Sequence, residues 1–306
     1  MTKPDVLMLG AYPEWDMVDL ETRYTVHKLW EASDRDALIA DKASLIQAIA
    51  TRGELGASAE LMQKLPNLKI VSCYGVGTDA IDLVYARAND IQVTNTPDVL
   101  NDDVADLGIG LLLATARRIP FGETLVREGN WGKVAMPLVT RVSGKKLGIV
   151  GMGRIGQAIA RRATGFDLEI GYFARSEKTE LDYRYFGELL ELARWAEFLI
   201  VIVPGGEGTK NLIDAAVLEA LGPDGILVNV SRGSTVDETA LLAALEAKQI
   251  RGAGLDVFWN EPLIDRRFAV LENVVLQPHH GSGTVETRKA MGQLVRNNLA
   301  AHFAGK

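Results

Sequence analysis

"KKLGIVGMGRIGQAIARRA", residues 145–163, decides the fold. An apolar run at 147–150 leads into a turn carrying Gly151, Gly153 and Gly156, and an amphipathic segment follows. Strand, glycine turn and helix in that order predict a dinucleotide-binding βαβ unit. Gly151 permits the tight turn, Gly153 lets the backbone approach a pyrophosphate, and Gly156 lets the helix pack on the strand. The opening of the helix, with Arg154 and Ile155, offers backbone amides and a positive dipole end to the phosphates. The alternative is a purely structural glycine turn. The flanking strand, helix and second strand favour the dinucleotide site.

Outward from this turn, short apolar runs alternate with helical patterns. "DVLMLG", "LKIVSCYG" and "IQVTNT" fall in the first hundred residues, and "LEIGYF", "FLIVIV", "ILVNV", "GAGLDV" and "NVVLQ" fall after residue 145. Apolar runs bounded by Gly or Pro and separated by helix-length segments imply buried parallel strands. The fold class is therefore α/β, with two parallel-sheet units, Rossmann-like and flavodoxin-like. At 306 residues the chain suits two domains. A boundary is expected near Pro97 and Asn101, where N-cap chemistry opens a helix that is apolar at Val104, Leu107, Ile109, Leu111 and Leu112. Such a helix is buried either in the core or against a partner subunit. The final segment, "TVETRKAMGQLVRNNLAAHF", reads as one amphipathic helix that either caps the second unit or crosses back to the first.

Charge and cysteine content narrow the function classes. A net charge of −7 disfavours nucleic acid or an anionic membrane as the main partner. Cys73 is the only cysteine, so no intrachain disulfide forms and a reducing compartment is expected. The opening residues lack the features of a signal peptide, and no apolar run reaches the roughly twenty residues that span a bilayer. A cytoplasmic location is the expectation. No His, Cys and carboxylate spacing suggests a metal.

About twenty residues beyond the glycine turn, such folds place an Asp or Glu on the adenosine ribose. Here the stretch is "GYFARS", with Ala174, Arg175 and Ser176. A carboxylate would repel the extra phosphate of NADP, since unit charges about 4 Å apart near a protein surface interact by about 4 kcal/mol. Ala174 removes that repulsion, and Arg175 adds a planar donor fork suited to phosphate. The cofactor expected is NADPH/NADP. Glu169 is expected mid-strand, too early to replace the missing acid. The alternative reading makes Arg175 a solvated charge at a strand end.

Three strand ends supply complementary chemistry: "LVNVSRGSTVD" with Arg232, "GLDVFWNEP" with Asp256 and Glu261, and "VVLQPHHGSG" with His279 and His280. Hydride transfer to a ketone leaves an alkoxide that needs a proton, which a histidine can supply. A carboxylate fixes the ring, and an arginine holds a substrate carboxylate in bidentate fashion. Arg, Glu and His together suit reduction of a 2-keto acid.

These motifs, with "LGIVGMGRIG" and "NVVLQPHHGSGTVETR", make the chain resemble the D-isomer-specific 2-hydroxyacid dehydrogenase family over nearly its whole length. "FARS" and "GSGTVETR" are similar to the NADPH-preferring glyoxylate/hydroxypyruvate and hydroxyphenylpyruvate reductases of that family. The resemblance implies that Arg232 binds substrate, Glu261 orients the catalytic histidine and His279 donates the proton. It also implies that Asp256 lies beside the nicotinamide amide and that the backbone of Val76 and Gly77, in "YGVGTDAID", holds the substrate carboxylate. His280 stands where the family more often has an apolar residue, and reads as a second donor or a packed neighbour. The resemblance further implies a substrate domain of residues 1–98 completed by 286–306, a dinucleotide-binding domain of 99–285, a cleft between them and a homodimer built with the helix after Asp103. The short apolar tail that many relatives carry is missing after "HFAGK". The expected activity is NADPH-dependent reduction of glyoxylate, hydroxypyruvate or an aryl pyruvate to the D-2-hydroxy acid. The alternatives are an NAD-linked dehydrogenase of other specificity and a non-catalytic dinucleotide-sensing scaffold. Trp15, Arg52 and Leu55 are candidates for substrate specificity, or are scaffold and surface.

Overall fold

The computed structural model describes residues 3–305, so the expected domain limits at residues 1 and 306 lie outside the described residues. The chain divides into two compact units, Met1–Leu100 with Gly283–Lys306, and Asn101–Ser282.

The first unit begins with β1 (Asp5–Met8), α1 (Glu14–Arg23), β2 (Thr25–Lys28), α2 (Arg35–Lys42) and β3 (Ile46–Arg52). It continues through α3 (Ala59–Gln63), β4 (Ile70–Tyr74), α4 (Leu83–Ala88) and β5 (Gln92–Thr94). All pairings are parallel, in the order β2-β1-β3-β4-β5. Its central strands are buried along nearly their whole length, as sheets covered on both faces require. Asp34, Ser58 and Asp82 cap α2, α3 and α4 through side-chain oxygens that accept backbone amides.

The second unit opens with α5 (Asn101–Ala116) and α6 (Ile119–Arg127), followed by β6 (Lys146–Val150), α7 (Arg154–Ala163) and β7 (Glu169–Phe173). Then come β8 (Arg184–Phe186), α8 (Leu189–Trp195), β9 (Phe198–Val201), α9 (Ala215–Leu221), β10 (Ile226–Asn229), α10 (Glu238–Glu246), β11 (Gly252–Leu255) and β12 (Val274–Leu276). The parallel order β12-β11-β10-β9-β6-β7-β8 runs outward in both directions from β6 and β9, which is the doubly wound arrangement. The topological switch point therefore lies at the carboxyl ends of β6 and β9.

Two open questions are settled by packing. Val104, Ile109, Leu111 and Leu112 of α5 are buried within the second unit, where Gly108 faces Ile159 of α7 and Val230. The apolar face of α5 is thus core. The chain then re-enters the first unit as α11 (Val285–Phe303), which packs on β4 and α1. Tyr74 donates its hydroxyl to the Arg288 carbonyl at 2.6 Å, and Arg296 pairs with the fully buried Asp16 and, at 3.2 Å, with Asp19. A Cβ at Gly292 would stand 2.1 Å from an Asp16 oxygen, so glycine is what lets α11 approach α1 this closely. Among the described residues no helix is long and apolar enough to cross a membrane.

Candidate active site

The glycine turn sits at the switch point of the second sheet. Gly151 has φ +106°, and a Cβ there would lie 2.4 Å from the Ile202 carbonyl oxygen, just past β9. A Cβ at Gly156 would lie 2.1 Å from the Gly151 carbonyl oxygen. Both glycines are demanded by the protein's own packing. Gly153 differs, because nothing lies within 4 Å of a Cβ built on it. No side chain caps α7, whose N-cap is Gly153. Open space over Gly153 and a side-chain-free helix start fit a dinucleotide pyrophosphate, with residues 153–156 as its cradle.

The segment after β7 is folded back on its own strand. Buried Tyr172 accepts the Lys178 amide at 2.7 Å, and Tyr185 donates to the Ala174 carbonyl at 3.4 Å. Arg175 and Ser176 are exposed at the tip of this segment, and among the described residues nothing engages the Arg175 guanidinium. Glu169 does not lie mid-strand as expected. It is the first residue of β7, paired with Lys146, so it stands at the opposite edge of the sheet from Arg175.

The Arg, Glu and His of the second unit converge. His279 Nδ1 lies 2.6 Å from Glu261 Oε2, and the other Glu261 oxygen accepts the Phe258 amide at 2.8 Å. Burial alone would raise the Glu261 carboxyl. The hydrogen bond and charge of His279, the Phe258 amide and the nearby Arg232 together hold it below the usual carboxylate range. A depressed folded value means that this pairing stabilises the protein above the unfolded pKa of a glutamate and is lost as pH falls through the folded one. His279 itself has φ +53°, a left-handed conformation that costs a non-glycine residue about 1–3 kcal/mol. Its amide donates to the Asp256 carbonyl at 2.7 Å, fixing the backbone in that conformation.

Asp256 carries more structural work than expected. It is buried, and its two oxygens accept the His280 amide at 2.6 Å and the Gly281 amide at 2.9 Å. Burial raises its carboxyl, with those amides and His279 acting in the opposite sense. Asp256 therefore shapes the loop that presents His279. The His280 side chain points outward, exposed, and among the described residues has no hydrogen-bond partner. The structure brings His279, not His280, to the glutamate.

Arg232 is held by a polar network that the sequence did not reveal. Asn229 donates to the Arg232 carbonyl at 3.0 Å and accepts the Ser231 amide at 3.0 Å, while Thr235 donates to the same carbonyl at 2.7 Å. Asn, Ser and Thr at a strand end are the signal for such a side-chain-closed turn.

In the first unit, the loop after β4 has its carbonyls turned inward. Thr96 donates its amide to Gly75 O at 2.9 Å, Asn95 donates its side-chain amide to Val76 O at 2.8 Å, and Cys73 Sγ lies 3.5 Å from Gly77 O. Among the described residues the amides of Val76 and Gly77 donate to nothing. Asn95, absent from the sequence-derived site, thus sets which way this loop faces.

A doubly wound sheet with an open glycine cradle at its switch point, and a paired His and Glu on the same edge, defines a dinucleotide-dependent oxidoreductase. The family model for the NAD-binding domain of D-isomer specific 2-hydroxyacid dehydrogenases matches residues 109–281. Hydroxyphenylpyruvate reductase from Plectranthus scutellarioides is 46% identical over 98% of this chain and 96% of its own length. Among solved structures, the 2-hydroxyacid dehydrogenase of Ketogulonicigenium vulgare Y25 is 51% identical, with a TM-score of 0.92 over 100% of this chain and 97% of that one. The NADPH-dependent glyoxylate/hydroxypyruvate reductase of Sinorhizobium meliloti, solved with NADP and malonate, is 42% identical, with a TM-score of 0.93 over 99% and 94%. The chain belongs to the D-isomer specific 2-hydroxyacid dehydrogenase family, and its cofactor is a nicotinamide dinucleotide.

Proposed function

We propose that this protein is a cytoplasmic, NADPH-dependent reductase that converts a small 2-keto acid, such as glyoxylate, hydroxypyruvate or an aryl pyruvate, into the D-2-hydroxy acid. The observation that carries the reading is the 2.6 Å pair of His279 with Glu261, beside Arg232 on the carboxyl edge of the dinucleotide-binding sheet. When bound, the dinucleotide supplies the hydride that reduces the carbonyl carbon. His279, its Nδ1 engaged by Glu261, has Nε2 left to deliver a proton to the carbonyl oxygen. The Glu261 carboxylate keeps the ring oriented. Arg232 binds the substrate carboxylate and polarises the adjoining carbonyl. In the first unit, the inward-turned carbonyls around Val76 and Gly77 leave two amides suited to a substrate carboxylate. Asp256 serves by shaping the His279 loop, and would be the acid that meets the nicotinamide amide when the dinucleotide is bound.

The preference for NADPH rests on Arg175 and Ser176, exposed and carrying no acid between them. Assembly as a homodimer is part of the proposal. Ile119, Val126, Trp131, Val134, Met136 and Leu138 are exposed in one stretch, with Trp131 at 79% and Leu138 fully open, a density of apolar surface that marks an interaction site. Steady-state kinetics with a panel of 2-keto acids and both NADPH and NADH test the reading. Oxidation of NADPH by at least one of glyoxylate, hydroxypyruvate and phenylpyruvate is expected, at higher efficiency than with NADH. Cofactor binding without turnover on the whole panel would replace it with the dinucleotide-sensing scaffold.

A further inference from the structure

We infer that Trp259 is a positioning residue for the proposed reduction: it braces the backbone of Phe258 and Trp259, and that backbone keeps Arg232 and the Glu261–His279 pair in register. This role rests on the keto-acid reductase reading above.

Two loops of the second unit meet at this backbone. One follows β10 and carries Arg232, and the other follows β11 and carries Glu261. A Cβ on Gly233, next to Arg232, would strike the Phe258 carbonyl group and stand 2.5 Å from the Trp259 amide nitrogen. Glycine at 233 is therefore what lets the arginine turn lie flat against the Phe258–Trp259 peptide. Phe258 also sets the glutamate, because its amide donates to Glu261 Oε1 at 2.8 Å while Oε2 lies 2.6 Å from His279 Nδ1. Any shift of this backbone moves the carboxylate relative to the arginine.

Trp259 fixes the backbone from outside. Its indole Nε1 donates to the Val236 carbonyl at 2.8 Å, and its amide donates at 3.1 Å to Oε2 of Glu238, the first residue of α10. Lys210, from the segment after β9, places Nζ 5.9 Å from the ring centroid. Phe258 is buried, with its ring 6.0 Å from that of Phe268.

Trp259 is 41% exposed, so it adds little to the core. Its indole hydrogen is nonetheless directed to Val236, whose own amide returns to the Gly233 carbonyl at 3.1 Å. The contacts therefore close a circuit from Trp259 through Val236 and Gly233 back to the Phe258–Trp259 peptide. Such bonds tie one loop to another, and their main consequence is relative placement. Arg232 has a separate hold, since Asn229 and Thr235 donate to its carbonyl at 3.0 and 2.7 Å. Loosening Trp259 thus moves Glu261, and His279 with it, while the arginine stays. Turnover should fall with binding retained, because a misplacement of about 1 Å can cost about 100-fold in rate.

The test measures kcat and KM with glyoxylate and NADPH, the NADPH Kd by fluorescence titration, and Tm, in the wild type and in Trp259→Phe, Glu238→Ala and Glu238→Gln. Trp259→Phe keeps a ring and removes the indole donor. Its kcat should fall about 10-fold, with both KM and the NADPH Kd within about threefold and Tm within about 2 °C. Glu238→Ala, which removes the acceptor of the Trp259 amide, should show the same split about threefold to fivefold in size. Glu238→Gln retains an acceptor oxygen and should recover most of that loss. The Glu238 pair decides the matter on its own should Trp259→Phe fold poorly. An unchanged kcat in Trp259→Phe and Glu238→Ala, or a joint loss of kcat, cofactor affinity and Tm, would overturn the positioning role and leave the reductase intact. A Glu238→Gln variant no better than Glu238→Ala would also overturn it. A wild type that reduces no 2-keto acid overturns the reductase reading instead, and this role with it.

Discussion

After β6 the glycine turn runs straight into a helix, whereas after β4 the glycine loop at residues 75–77 wanders for several residues before α4 begins. The first turn is locked by close backbone packing: a side chain at Gly151 would strike the Ile202 carbonyl oxygen, and one at Gly156 the Gly151 carbonyl oxygen. The second is locked from outside, by the Thr96 amide and the Asn95 side chain drawing its carbonyls inward. One turn offers a helix N-terminus and the other offers two loose amides. A diphosphate suits the first because a helix start concentrates aligned donors, and a single carboxylate suits the second because two donors are enough. On the proposed reading, two parallel sheets offer anion sites by different backbone routes, and the proton donor belongs to the second unit, where His279 meets Glu261.

The largest expected effect tests where that chemistry resides. His279→Ala should lower kcat by about 100- to 10,000-fold while leaving the dinucleotide Kd within about threefold, since only the proton donor is removed. His280→Ala should cost less than about fivefold, because its side chain is exposed and unpartnered among the described residues. Stopped-flow reduction and cofactor titration separate the two. A reversed ranking would move the proton donor to His280.

Arg175→Asp comes next and concerns the cofactor. A carboxylate in place of the guanidinium removes an attraction and adds a repulsion, each about 4 kcal/mol unscreened at close range and less at an exposed tip. The ratio of kcat/KM for NADPH over NADH should fall about 100-fold. Equal losses with both cofactors would mean that Arg175 supports the fold of the segment and does not touch the phosphate.

The glycines permit a comparison inside one turn. Gly156→Ala forces a Cβ to about 2.1 Å from a carbonyl oxygen and should depress Tm by several degrees. Gly153→Ala meets no protein atom within 4 Å, so Tm should hold while the dinucleotide Kd rises about tenfold as the methyl enters the pyrophosphate space. Loss of stability in both variants would make this an ordinary structural turn.

What could be read in advance follows from where the determining partners lie. The strands β6, β9, β10 and β11 announce themselves as apolar runs ending in Gly, Pro or a polar turn, because all are buried on both faces. β2, β3 and β8 escape the same reading. β2 and β8 are short edge strands with exposed polar residues, and "IQAIATR" in β3 carries two alanines and a glutamine, good helix formers that a central buried position overrides. In the site, Arg232, Glu261 and His279 follow strand ends and could be named from the sequence. How they are held could not, although Asp256 itself could be named. Asp256 reaches amides 24 and 25 residues away, and Asn95 reaches a carbonyl 19 residues back, contacts that leave no local pattern.

Asn95 gives the smallest and most specific test of the two-turn contrast. Its side-chain amide donates to Val76 O from the start of the segment after β5, so Asn95→Ala removes the external lock and leaves strand and loop residues unchanged. One hydrogen bond of this kind is worth about 1 kcal/mol net, and KM for the keto acid should rise about three- to tenfold with kcat and the NADPH Kd little altered. A fall in kcat at constant KM would mean that the 75–77 loop acts on the transition state and not on binding. No change in either would detach the loop from the substrate, and would leave Arg232 as the carboxylate's sole assigned anchor.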